Sequence, residues 1–200
     1  LVRDAPLSPE FFTKHGLNVS RETVEKLSIF KNLVKKWQKA VNLIAPSTVD
    51  DINVRHMLDS AQLWPLVAGQ KIIDLGSGAG FPGMVLAIMG APVTLVESDQ
   101  RKAVFLSTVS RETQTPVTVL NKRIAEVSGV TADVVTARAL APLSDLLFHV
   151  KHLGLTRGVF LKGENLADEI SAAQKNHAFE MQTQKSLSDP RGQIVTVLCT

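Results

Sequence analysis

The 200-residue sequence contains one cysteine, Cys199, and no tyrosine. A single cysteine excludes an intrachain disulfide and a cysteine cage for a metal, and it fits a reducing, cytoplasmic setting. Charge of one sign is scarce too: 22 Lys and Arg against 19 Asp and Glu leave +3. That excludes coating nucleic acid by charge alone but allows a local basic patch. Long apolar runs are absent as well. The apolar stretch 81–96 is interrupted by Gly83, Gly90 and Pro92 and is too short to cross a bilayer, so no membrane association is expected. At the start, Leu1 to Pro6 show no basic stretch followed by an apolar one, so no secretory signal is expected.

What is present is the make-up of a globular chain, since 44% hydrophobic and 20% charged residues predict a packed core. The first part reads as helical. Ser8 before Pro9 and Glu10 supplies an N-cap hydroxyl, a proline at the first helical position and an early acid. Ser20 and Glu22 open a second helix in the same way. Val24, Leu27, Phe30, Leu33, Val34, Trp37 and Val41 then recur at three- and four-residue steps as one apolar stripe. Lys26, Lys31, Lys35, Lys36 and Lys39 fall largely off it, a basic face that is either solvated or in contact with RNA. Ser47 to Asp50 read as a cap before a third helix carrying Arg55, His56 and Asp59.

After Trp64-Pro65 the period changes. Short apolar runs at 71–75, 93–97, 117–120, 133–137 and 159–161 alternate with helical patterns at 84–89, 99–112, 142–153 and 164–175. Two last strands, 179–186 and 193–199, flank the turn formers Ser188-Asp189-Pro190-Arg191-Gly192, which makes the final strand antiparallel. The expectation is an α/β fold: a Rossmann-like, mostly parallel seven-stranded sheet over 65–200 with an antiparallel last strand, preceded by a helical extension over 1–64.

Between the first strand and the next helix lies Asp74-Leu75-Gly76-Ser77-Gly78-Ala79-Gly80-Phe81-Pro82-Gly83. In an open α/β sheet that is the ligand-binding crevice. Two glycine frames compete there. Gly78, Gly80 and Gly83 match the dinucleotide fingerprint G-x-G-x-x-G, which alone is weak. The other frame is Asp74, Gly76, Gly78 and Gly80, with Glu97 at the end of the next strand, where a carboxylate can accept both hydroxyls of a ribose. A dinucleotide brings a pyrophosphate, which a carboxylate just before the loop disfavours. S-adenosylmethionine brings a sulfonium and an ammonium, which Asp74 favours, so the methyl donor is the preferred cofactor.

Further motifs accompany the turn: Trp37 to Leu43, Arg55-His56-Met57-Leu58-Asp59-Ser60, Arg101-Lys102 with Phe105-Leu106, Arg123, Arg138-Ala139 and Lys162-Gly163. In this order and spacing, from about residue 20 onward, the sequence resembles the RsmG (GidB) family of bacterial small-subunit ribosomal RNA guanine-N7 methyltransferases. Gln38 stands where that family usually carries Asn. The resemblance implies that Gly76 and Phe81, with Ser77 of the same turn, line the cofactor pocket, and that Glu97 holds the ribose. It also implies that Ile124 and Ala125, with Glu126 nearby, meet the adenine, and that Arg138 sits beside the cofactor at the reacting face. Arg123, Lys162 and Arg191 are expected to face RNA, and Arg55 and His56 to guide it. The implied partner is small-subunit ribosomal RNA within a ribonucleoprotein particle, and no metal is expected.

Missing motifs narrow the target atom. Methylation at pyrimidine carbon 5 needs a cysteine nucleophile, and Cys199 lies in no suitable loop. Exocyclic amine methylation normally uses Asn or Asp before Pro-Pro and an aromatic residue, whereas the fourth strand is followed by Arg138-Ala139-Leu140-Ala141. Guanine N7 carries no proton and needs no base. Arg123, Arg138 and Lys162 are then the expected catalytic cations, holding O6 or phosphate. The rivals are ribose 2′-O-methylation with Lys162 as base, an NAD(P)-dependent dehydrogenase built on Gly78, Gly80 and Gly83, and an inactive ribosome-assembly factor.

Overall fold

The computed structural model describes residues 6–200. The reading of a missing secretory signal rests on residues outside that range. Helix α1 (Pro9–Thr13) starts at Ser8, whose hydroxyl accepts the Phe11 amide, and α2 (Arg21–Trp37) starts at Ser20, whose hydroxyl accepts the Thr23 amide. α2 buries Val24, Leu27, Phe30 and Val34. The apolar stripe ends as helix at Trp37. Val41 is buried from the following turn, because the Gln38 side chain accepts the Leu43 and Ile44 amides at 2.9 Å and folds the chain back.

The third helix is the largest departure from expectation. A 3-10 turn (Pro46–Thr48) precedes a π-helical segment (Asn53–Leu58), which runs into the α-helical turn α3 (Asp59–Ala61). The wider π turn brings Arg55, His56 and Asp59 to one cleft. Such widened turns are rare and favour functional sites. α4 (Trp64–Val67) leads into the sheet.

The strands are β1 (Ile72–Leu75), β2 (Val93–Val96), β3 (Thr118–Leu120), β4 (Val134–Arg138), β5 (Arg157–Lys162), β6 (Phe179–Lys185) and β7 (Gln193–Cys199), in the order β3-β2-β1-β4-β5-β7-β6. β1 to β5 pair in parallel, and β7 runs antiparallel to both β5 and β6. The intervening helices are α5 (Gly83–Ile88), α6 (Gln100–Glu112), α7 (Leu143–His152) and α8 (Leu166–Ala173). β1 is buried at all four positions, as a strand covered on both faces must be. One apolar cluster joins α2, α5 and α6 across the extension: Phe30 is fully buried, with ring centroids 5.0 Å from Phe81 and 6.4 Å from Phe105. Burying such a ring stabilises the fold by about 1.5–3 kcal/mol. A second cluster, centred on Leu143, Leu147, Val150 and Phe160, fills the opposite face. Among the described residues, no helix is long and apolar enough to cross a membrane.

Candidate active site

The chain leaves β1 toward β2 on one side and returns to β4 on the other, which opens a crevice at the carboxyl ends of β1 and β4. Two clefts meet there at Gly76 and Leu140. One, about 690 Å³, extends over β4 and β5, and the other, about 550 Å³, lies over β2 and β3.

At the centre of the larger cleft is Arg138, the last residue of β4, with its side chain 18% exposed. Its Nη1 donates to the Arg55 carbonyl at 3.1 Å and to Asp59 Oδ2 at 3.3 Å, and its Nη2 donates to His56 Nδ1 at 2.8 Å. The guanidinium carbon lies 5.0 Å from the centre of the Phe81 ring. Burial lowers the Arg138 pKa from its usual value, with Asp59 pulling the other way. Burial, and then the charges of Arg138 and Arg55, push His56 down to about 3, so the imidazole is neutral.

Gly76 lines both clefts with φ of +62°, and a Cβ there would come within 2.5 Å of Leu140 Cδ1. The conformation and the close approach together call for glycine. Asp74 sits beneath the turn with no exposure. Its Oδ1 accepts from Thr136 at 2.8 Å, and burial raises its carboxyl to about 6, with the hydroxyls of Ser77 and Thr136 pulling back. Glu97 is buried as well, and its carboxylate accepts the Gly78 and Asp99 amides, both at 2.7 Å. The Gly78 amide that a diphosphate would need is therefore already capped by a negative charge. Two carboxylates under and beside a glycine turn suit a cationic sulfonium nucleoside and not a dinucleotide.

Several expected site residues change place. Asp74 is a support under the turn and does not line either cleft, because it is spent on Thr136 inside the core. Gly80 faces the helices: a Cβ there would meet Met84, Leu106 and Phe30. Glu97 reaches the turn through backbone amides and lines neither cleft. Ser77, Gly78 and Phe81 line the larger cleft, and Arg123, Ile124 and Glu126 the smaller, whereas Ala125 is exposed outside it. The three expected catalytic cations are therefore divided, with Arg138 and Lys162 in one cleft and Arg123 on the rim of the other.

The expected RNA-facing cations are also mostly paired. Lys162 has a side chain only 8% exposed, bound to Glu169 at 2.5 Å and to the Ala141 carbonyl at 2.9 Å, so it offers neither a free charge to RNA nor a lone pair to a proton. Arg55 meets Asp189 at 2.6 Å, and Arg191, 68% exposed, meets Glu164 and Asp189 at 3.4 and 3.7 Å. His56 is buried and faces Arg138 instead of solvent.

Sequence reasoning missed the residues that build this network. Asp59 also accepts from Gln62, at 2.9 Å, and from the Ser188 hydroxyl, while Gln62 receives the Leu187 amide at 2.7 Å. These bonds fasten the loop between β6 and β7 to α3 and the residue that follows it. Asn121 donates to the carbonyls of Glu97 and Ser98 at 2.8 and 3.1 Å, and so holds the rim of the smaller cleft. Asp59 lies inside the Arg55 to Ser60 motif, whereas the roles of Gln62 and Asn121 carry no local signal, because Leu187 and Glu97 are far away in sequence.

The fold is similar to that of magnesium protoporphyrin IX methyltransferase (ChlM) from Synechocystis with bound SAM, with a TM-score of 0.62 and 17% identity, covering 86% of this chain and 97% of that one. It is also similar to the 16S rRNA methylase ArmA, with a TM-score of 0.58 and 15% identity over 86% and 98% of the two chains. The sheet order and the glycine turn thus define a Rossmann-like fold, shared with these two methyltransferases. A family model described as rRNA small subunit methyltransferase G (GidB) matches residues 23–194. Two curated relatives carry the name Ribosomal RNA small subunit methyltransferase G. The one from Paramagnetospirillum magneticum is 53% identical over 93% of this chain and 92% of its own, and the one from Rhodospirillum rubrum 43% identical over 96% and 97%. The chain belongs to this rRNA small subunit methyltransferase G family.

Proposed function

We propose that this protein methylates N7 of one guanine in the decoding region of small-subunit ribosomal RNA, acting on the RNA within a ribonucleoprotein particle. S-adenosylmethionine, when bound, supplies an electrophilic methyl group on a sulfonium. Gly76, Ser77, Gly78 and Phe81 would hold its amino-acid side, and Ile124 and Glu126 its adenine side. Glu97 would act on the ribose side through the turn it fixes and through the lone pairs its two amide bonds leave free.

One observation carries the choice of N7. Every titratable side chain lining the larger cleft is already engaged: Arg55 with Asp189, Arg138 with Asp59 and His56, and Lys162 with Glu169. No free base stands ready to take a proton, which disfavours a ribose hydroxyl or an amine and suits an acceptor that is already a lone pair. Arginine has five N–H donors, and Arg138 spends three, so two remain to hold guanine O6 or a phosphate. Placing a guanidinium on N7 itself would oppose the positive charge that develops on the purine, so Arg138 serves by alignment.

The test is incubation of small ribosomal subunits lacking the modification with the protein and labelled methyl donor, then nuclease digestion and mass spectrometry. Label on guanine N7 is expected, with weak incorporation into naked short RNA. Label on a ribose oxygen, or efficient turnover of a bare hairpin, would overturn the reading.

A further inference from the structure

The geometry points to His56 as a positioning residue for the methyl transfer: its neutral imidazole accepts one N–H of Arg138 and so fixes the direction of the donors that guanidinium has left. This rests on the reading of the cleft as a methyltransferase site. The direction of the bond is forced. Arginine only donates, so Nδ1 at 2.8 Å from Arg138 Nη2 must be unprotonated. On the other side, Nε2 lies 2.8 Å from the Thr48 hydroxyl, which itself donates to the Ala45 carbonyl at 2.8 Å. Thr48 therefore receives the Nε2 proton, and the ring is held in a single tautomer by a bond at each nitrogen.

The need for this contact follows from the other two. Asp59 and the Arg55 carbonyl both hold Nη1, and two bonds on one nitrogen still let a planar group pivot about it. A third bond on Nη2 removes the pivot. The imidazole also packs against Phe81 at a tilt of 31°, with ring centroids 5.0 Å apart, and the same guanidinium lies over that phenyl ring. Thr48, His56, Phe81 and Arg138 come from four segments, so the bond ties the helical extension to the end of β4.

The charged groups around the ring agree with a permanently neutral state. Arg138 approaches from β4 and Arg55 from the ring's own helix, while Asp59 is turned to Arg138 and Asp189 to Arg55. Two cations and burial oppose protonation, and the two nearby carboxylates are occupied.

Nitrogen-15 histidine labelling of the intact protein tests the state directly. Long-range proton–nitrogen spectra between about pH 5 and 8 should give a bare Nδ1 and a protonated Nε2 with no titration. An Nδ1–H tautomer, or an imidazolium forming in that window, would overturn the proposal whatever the reaction proves to be. Kinetics on unmodified small ribosomal subunits then test the role. His56→Phe keeps a buried ring without an acceptor and should lower kcat about a hundredfold, with KM for the subunit within about twofold. His56→Asn replaces Nδ1 with a carbonyl oxygen and should recover most of that loss. Full activity in His56→Phe, or an Asn variant as slow as the Phe variant, would sink it. If wild-type protein places its methyl elsewhere than N7, the reading of function fails while the spectra stand.

Discussion

At Gly83, the first residue of α5, an added methyl group would fall 2.5 Å from Leu95 Cδ2 and 2.6 Å from Asp74 Oδ2, both fixed in the core. Gly83→Ala should therefore cost about 1–3 kcal/mol in urea unfolding. Gly163→Ala, where a Cβ meets nothing within 4 Å, should stay within about 0.5 kcal/mol. The dinucleotide frame thus contains a glycine that is there for packing, which a pattern of letters does not reveal. His56 makes a second residue-level prediction. Its folded pKa, about 3, lies below the ordinary 6.5, so only the unfolded chain takes up this proton between those values. The unfolded state then binds more protons and stability falls as pH falls below 6.5. Asp74, raised to about 6, works the other way between 3.8 and 6, where only the folded state is protonated. Wild-type protein should lose stability relative to His56→Asn by about 1.4 kcal/mol per pH unit below 6.5, measured by urea titration at several pH values. A constant difference would mean that His56 is charged in the folded state. Cys199 lines neither cleft: it is buried in β7, and burial raises its thiol above the usual value.

Among the elements, α2 was legible because caps and a three-four apolar stripe are local signals, and the central strands because parallel sheets need short, largely apolar runs, while β6 and β7 showed through the turn formers between them. The π-helical segment was not legible. Its side chains meet Asp189 in the β6–β7 loop and Arg138 at the end of β4, partners that no window of neighbouring residues contains. Phe30 measures how strongly α2 is coupled to the cleft. Phe30→Ala should cost about 3–5 kcal/mol in unfolding, since it empties a fully buried site. It should also loosen Phe81, whose ring packs on Phe30 on one side and lies against His56 and Arg138 on the other. Weaker retention of S-adenosylmethionine in equilibrium dialysis, at a temperature where the variant is folded, is the expected sign. Unchanged retention would confine α2 to a scaffold role.

For the whole molecule, Arg55, Arg138 and Lys162 line the larger cleft and Arg123 the smaller, and the sequence did not reveal what pairs with them. Arg138 pairs with Asp59 79 residues away, and Arg55 with Asp189 134 residues away, so the neutralising partners could not be seen locally. The fold brings those carboxylates into the larger cleft, whereas among the described residues Lys31 and Lys35 on α2 and Lys39 in the turn after it make no ion pair. Asp189→Asn should release Arg55, tighten RNA binding at low salt, and steepen the plot of log affinity against log salt by about 0.7–0.9 per freed cation. Filter binding over a salt series measures this, and an unchanged slope would mean that Arg55 lies outside the RNA footprint.

The position of β7 affects how the molecule can fail. Although last in order, it lies between β5 and β6 and bonds along its whole length to both. A frameshift or a proteolytic cut just before residue 193 would strip both flanking strands of their neighbour at once and leave the loop that Asp59 and Gln62 fasten without its anchor in β7. Two bare backbone edges recruit other chains, so a shortened product is expected to aggregate, which light scattering of the truncated chain would measure.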